Sequence, residues 1–169
     1  NERDFKDWCE QGDMLKLFLI IDGMTDPRNL GACLRSANAA GVDAVLLPKR
    51  RIAPLSSTVM RVAQGGCEEL SLVELGNIAR TIKWLQERGV WIIGADAAGG
   101  SIWESNLEKR SVALVIGDEG KGLRRLTKEL CDEMVGIPMF GTVESLSVSV
   151  ATGVLLFELR RKTTHTASS

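Results

Sequence analysis

The chain has 169 residues, of which 44% are apolar and 25% charged, and its formal net charge is −1. That is enough for one domain with a real core and short for two. No apolar run reaches the roughly 18 residues that span a bilayer, and the charge balance excludes a wholly basic nucleic-acid coat. The single histidine, His165, lies in the polar tail THTASS, and there is no tyrosine. A Ser-His-Asp triad, a Cys-His pair and a His-based metal site therefore lack their central part, and no metal is expected. Cys9, Cys33, Cys67 and Cys131 form no CxxC pair, so they read as dispersed free thiols.

Residues 1–16 are polar and irregular, as in a linker or arm. LFLIID (17–22) is a short apolar run ended by Asp22-Gly23, which suits a strand buried on both faces. Residues 25–41 form a capped helix, with Asp26 as N-cap, Pro27 at the first helical position and Gly41 as the stop. AVLLP (44–48) is the next strand. A weaker helix covers 54–64 up to Gly65-Gly66, and LSLV (70–73) is a short strand. NIARTIKWLQERG (77–89) is an amphipathic helix, VWIIGAD (90–96) a strand, and SVALVIGDE (111–119) a strand entering a glycine-rich turn. LRRLTKELC (123–131) is a helix, MVGIPM (134–139) a strand, and Ser145 to Lys162 the final helix. This alternation of helices with continuous apolar strands specifies an α/β fold, a parallel sheet covered by helices on both faces. In such sheets ligands bind beyond the C-terminal strand ends.

Three of those ends carry unusual residues. On the helix 25–41, Leu30, Cys33, Leu34, Ala37 and Ala40 form the core stripe. Arg35 falls near the opposite side among Gly31, Ala32, Asn38 and Ala39. Small residues around one arginine suggest close packing by another chain or a ligand; the other reading is a surface arginine on an alanine-rich helix. VIGDEGKGL (115–123) is neither a P-loop nor a GxGxxG fingerprint. Asp118 and Glu119 repel phosphates, so an amine, a sulfonium or a ribose fits the turn better. A plain turn needing positive φ explains Gly120 and Gly122 equally well. In IPMFGTVESLSVSVA (137–151) the hydroxyls of Ser145, Ser147 and Ser149 alternate with apolar residues as a helix opens. They present donors to a ligand, or Ser145 is simply an N-cap.

Taken in order, these segments resemble the SpoU (TrmH-type) branch of the SPOUT methyltransferases, which methylate ribose 2′-hydroxyls of RNA. The first motif is similar to Asn29-x-Gly31-x-x-x-Arg35, the second to IGDEGKGL, the third to IPMFGTVESLSVSVA. The likeness runs from Leu17 to Lys162 and is greatest to the bacterial type acting on a 23S ribosomal RNA guanosine. It implies a catalytic domain over 17–162, with 1–16 an arm or linker remnant and 163–169 a polar tail. It also implies a C-terminal trefoil knot, a rare exception to unknotted topology, and a homodimer with its active site near the interface.

The resemblance further implies S-adenosylmethionine as cofactor, contacted by Gly117, Ile137, Met139, Ser145 and Leu146. It assigns Arg35 to catalysis, with Asn29 and Glu119 positioning RNA and the reacting groups. Ser147 completes that set and stands where the family usually has asparagine. Basic clusters at Lys49-Arg50-Arg51, at Lys121, Arg124, Arg125 and Lys128, and at Arg160-Arg161-Lys162 offer local phosphate contacts. The resemblance also implies a small preceding RNA-binding domain, which the start at Asn1 and the polar arm fit, and the setting is expected to be cytoplasmic, away from membranes. An inactive SPOUT-fold RNA-binding or ribosome-assembly module is the alternative, motivated by Ser147. A Rossmann-type oxidoreductase is a further rival that lacks its glycine fingerprint.

Overall fold

A computed structural model describes residues 1–12, 14–63, 70–107 and 109–164. In chain order the elements are α1 (Glu2–Cys9), β1 (Leu17–Ile21), α2 (Pro27–Ala39), β2 (Ala44–Pro48), α3 (Ser57–Ala63) and β3 (Leu72–Leu75). There follow α4 (Ile78–Glu87), β4 (Trp91–Ser101), β5 (Val112–Ile116), α5 (Arg125–Leu130), β6 (Glu133–Gly136) and α6 (Val148–Thr164). A 3-10 turn, Ile102–Glu104, follows β4.

The strands form one sheet in the order β3-β2-β1-β5-β4-β6, and the pairings between them are parallel. Alternation along the strands divides the core in two. Leu17, Leu19, Ile21, Val112, Leu114 and Ile116 face one cluster, shared with α2, α3 and α6. Phe18, Ile20, Ala113 and Val115 face the other, shared with α1 and α4. Each side chain buries on the face its parity dictates, and the hydrophobic driving force scales with that area. The sheet is thus covered on both faces, as the apolar runs require.

The first segment departs from its expected irregular form. Glu2–Cys9 is a helix capped by Asn1, whose side chain accepts the Asp4 amide at 2.9 Å. Phe5 is buried edge-on against Phe18, with ring centroids 5.4 Å apart. One aromatic at the right phase anchors a short helix that polarity alone did not reveal. Elsewhere the boundaries move by a few residues. The 54–64 helix is α3, and its Gly65-Gly66 stop lies outside the described residues, as do Cys67 and residues 165–169 of the tail.

The largest departure is β4, which runs past Asp96 to Ser101. It pairs with β6 twice: Val135 is opposite Ala95 and again opposite Gly100. The strand curls around its neighbour, and glycine makes this possible. A Cβ on Gly99 would lie 2.7 Å from the backbone at Met134 and Val135, and one on Gly136 would lie 2.7 Å from the Asp96 carbonyl. After β6 the chain returns over the sheet as α6, packing on α2 and β5.

Candidate active site

Four local structures place the site residues. At the head of α2, the Asp26 carboxylate accepts the Arg28 and Asn29 amides at 2.8 and 3.3 Å, with Pro27 at the first helical position. This cap fixes Asn29 in the first turn. Second, the loop after β5 closes on itself: Asp118 and Gly122 form an antiparallel bridge, and the Gly122 amide donates to the Asp118 carbonyl at 2.8 Å. Gly120 and Gly122 have φ of +80° and +68°, so the turn does require glycine. Third is the curl of β4 at Asp96, and fourth the segment 137–147 leading into α6.

The ends of β4, β5 and β6, with the first turns of α6, enclose a cavity of about 620 Å³. Gly117, Ile137, Met139, Ser145 and Leu146, drawn from two distant motifs, all line it. Ile116, Leu123, Val135 and Leu155 supply apolar wall. Asp96, Asp118, Glu119 and Glu144 supply carboxylates, against Lys121 and Lys128. Lys128 is already taken, with its Nζ 2.7 Å from Asp96 Oδ2. That hydrogen bond, joined by the Ala98 amide, holds the Asp96 carboxyl below its usual range. The excess of acid suits a ligand with positive charge and disfavours a di- or triphosphate.

Asn29 joins the cavity through its side chain: Nδ2 donates to Glu119 Oε2 at 2.7 Å. A parallel link runs from Thr25 Oγ1 to Asp118 Oδ2 at 3.2 Å. Arg35 does not reach the cavity. It is exposed, about 9 Å further along α2 at 1.5 Å rise per residue, and its side chain makes no ion pair or hydrogen bond among the described residues. Ser147 is exposed immediately before α6, and its carbonyl accepts the Ala151 amide at 2.9 Å. Since α6 starts at Val148, Ser145 is not its N-cap.

Gly31 corrects the expected surface around Arg35. It is buried, and a Cβ there would lie 2.7 Å from the Val62 Cβ and 2.8 Å from the Val59 carbonyl. Its smallness serves the packing of α3 on α2 and not an outside partner. Among the described residues the thiols offer no nucleophile: burial pushes Cys9 and Cys131 up to about 11 and Cys33 up to about 12.

Residue-type reasoning gave no site role to Asp96, took Asp22 only as the end of a strand, and offered Lys128 only as a phosphate contact. Asp22 is only 1% exposed and receives Arg124 and Thr127. Burial pushes its carboxyl up, but the hydrogen bonds from Arg124 and Thr127 outweigh this and hold it below the usual range. The available signal was a carboxylate ending an otherwise apolar strand.

A parallel α/β sheet with a strand-end cavity is the architecture of a cofactor-binding domain. The sequence narrows that class. It matches the SpoU rRNA Methylase family over residues 16–157, and the chain belongs to that family. It is 53% identical over 163 residues to the 23S rRNA (guanosine-2'-O-)-methyltransferase RlmB of Vibrio cholerae, covering 96% of this chain and 65% of that protein. It is 51% identical over 162 residues to the protein of the same name from Escherichia coli K12, covering 95% and 66%. The chain thus spans about two thirds of the length of these curated relatives. Among solved structures, the SpoU methyltransferase AviRb from Streptomyces viridochromogenes in complex with AdoMet superposes with a TM-score of 0.80 at 26% identity, covering 90% of this chain and 62% of that one. A TrmH-family RNA methyltransferase from Porphyromonas gingivalis gives 0.80 at 30% identity, again over 90% and 62%.

Proposed function

We propose that this chain is the catalytic domain of an S-adenosylmethionine-dependent ribose 2′-O-methyltransferase that acts on a guanosine of 23S ribosomal RNA. The observation that carries the reading is the Asn29–Glu119 hydrogen bond. It joins the first motif to the second at the rim of a cavity whose far side is the third motif. Relatives at 51–54% identity bear the corresponding name.

The residues present fit the cofactor. The wall at Gly117 is closed to any side chain, because a Cβ would lie 2.2 Å from the Gly122 carbonyl group. The loop backbone is thereby held close over the end of β5, beside the apolar wall of Ile116, Leu123, Val135 and Leu155. Gly117, Ile137, Met139, Ser145 and Leu146 would hold the cofactor, with Glu119 and Glu144 favouring its positive charge. When bound, it supplies an electrophilic methyl group on a sulfonium.

The protein supplies proximity and charge. Arginine serves as a fixed positive charge and not as a free base, and that is the role given to Arg35. It acts by holding an RNA phosphate and stabilising charge on the attacking ribose oxygen. Asn29 and Glu119 orient the ribose against the cavity rim. Ser147, with a shorter reach than asparagine, meets the substrate from the other wall. Because Arg35 stands outside the cavity of its own chain, a homodimer with the site near the interface completes the arrangement. The C-terminal return of the chain after β6 is read as the family's trefoil knot, and the setting as cytoplasmic; no helix among the described residues is long and apolar enough to cross a membrane.

Calorimetric titration with S-adenosylmethionine and S-adenosylhomocysteine, with NADH as control, tests the cofactor. Saturable binding of the first two and no heat from NADH is the expected result. Transfer of labelled methyl to 23S RNA, mapped by resistance to alkaline cleavage, tests the substrate. A folded chain that binds no cofactor, alone or with RNA, would sink the reading.

A further inference from the structure

Asp22 ends β1 beneath the glycine-rich loop, and no step of the proposed reaction uses it. Its side chain is 1% exposed. Oδ2 accepts the Arg124 amide at 2.9 Å. Oδ1 accepts Arg124 Nε at 3.0 Å, Arg124 Nη2 at 2.6 Å and Thr127 Oγ1 at 2.9 Å. The backbone is equally committed. The Asp22 amide donates to the Ile116 carbonyl at 2.8 Å, and its carbonyl accepts Arg51 Nη2 at 3.1 Å.

Ile116 and Arg124 are the two feet of the 117–123 loop. Both feet therefore rest on one residue. The loop itself is internally stiff: the Asp118–Gly122 bridge closes it, and Gly117 packs against the Gly122 carbonyl group with no space for a Cβ. A stiff loop with pinned feet can shift only by tilting as a unit. Two further links to the β1–α2 segment, Thr25–Asp118 and Asn29–Glu119, are exposed and compete with water. Only the link at Asp22 has a buried end. The carboxylate is buried while the Arg124 guanidinium is half-exposed; burying a charge is a costly way to gain stability, so its use here calls for a geometric reason.

We propose that Asp22 is a positioning residue: its buried carboxylate, clamped on Arg124 and Thr127, sets the loop 117–123 against the cavity and so controls cofactor affinity and the approach of Glu119 to Asn29. This rests on the cofactor reading given above. Asp22 touches no reacting atom; it acts through the loop.

Asp22→Asn tests it with almost no change of volume. Whichever way the amide is placed, its NH2 faces an N–H of Arg124, so at least one donor meets a donor. Two measurements are made on the same protein. Hydrogen exchange of the 117–123 amides is expected to speed up while β1 and β5 stay protected. The dissociation constant for S-adenosylmethionine is expected to rise by about tenfold or more. Ile82→Ala, a core truncation on α4 at a residue that lines neither the cavity nor the loop, is the control for plain destabilisation. It lowers Tm and leaves both readouts alone. If Asp22→Asn does not fold, Arg124→Ala replaces it, since it removes the guanidinium clamp from a half-exposed residue. Unchanged loop exchange and unchanged affinity in a folded variant would overturn the proposal. Were the unaltered chain to bind no S-adenosylmethionine, the cofactor reading would fall. The exchange comparison would still decide whether Asp22 anchors the loop, with unchanged exchange in the variant counting against it.

Discussion

The cavity has two walls built by opposite means. One is the 117–123 loop, closed on itself and pinned from below by four hydrogen bonds to a dry carboxylate. The other is the segment 137–147, which is half-buried or exposed throughout and whose hydrogen bonds among the described residues reduce to the Ser147 carbonyl at the start of α6. Phe140 there is 90% exposed and Val143 62%. The first wall is organised before any ligand arrives, so a ligand gains affinity without ordering it. The second has little of its own to hold it, which suits a surface that RNA or a second copy of the chain completes.

Arg35→Ala bears hardest on this contrast, since it touches neither wall. Turnover on RNA should fall by about two to three decades, the usual cost of one charge-stabilising group. Cofactor affinity should stay within about twofold. Labelled-methyl transfer alongside calorimetry separates the two, and undiminished turnover would remove Arg35 from the mechanism. Gly117→Ala strikes the closed wall directly. A Cβ 2.2 Å from the Gly122 backbone must displace the loop. Thermal unfolding should show a loss of about 1–3 kcal/mol for the forced repacking, with cofactor binding weakened in the same protein.

Acid distinguishes the two walls further. The Asp22 carboxyl is held below its ordinary range in the fold. Its contribution is therefore complete above the unfolded value near about 3.9 and is lost as pH falls through the folded one. Below about pH 4 the Tm of the unaltered chain should drop more steeply than that of Asp22→Asn. Parallel curves would mean that Asp22 carries no such linkage. Smaller still is the Asn29–Glu119 link. A double-mutant cycle on cofactor-saturated turnover should return a coupling of about 1 kcal/mol, as for one exposed hydrogen bond. Ser147→Asn should change least, leaving cofactor affinity within about twofold because the exposed wall gives way, while any effect appears in turnover.

Much of the fold was legible in residue patterns. The apolar runs of β1, β2 and β5 are buried at every position, as a strand covered on both faces demands. Asp26-Pro27 began α2 where capping chemistry required it. Arrangements that depend on contact across the chain were not legible. Ala97-Ala98-Gly99-Gly100 reads as a loop by propensity, yet it continues β4 because β6 lies in its curl. Polar residues 1–16 hide a helix whose one buried aromatic meets Phe18.

The candidate site divides along the same line. Sequence alone determined which residue types are present, that a histidine-based triad or metal site lacks its central part, and that three segments at strand ends carry the unusual residues. Those conclusions follow from short-range rules: side-chain chemistry, strand parity and helix capping. Only the tertiary structure decided that Asn29 meets Glu119, that Gly31 serves packing, that Arg35 stands apart from the cavity, and that Asp22 holds the foot of the loop at Arg124, 102 residues away. The reason is physical. A hydrogen bond or a close approach depends on where two remote backbones cross, and no local preference encodes the crossing.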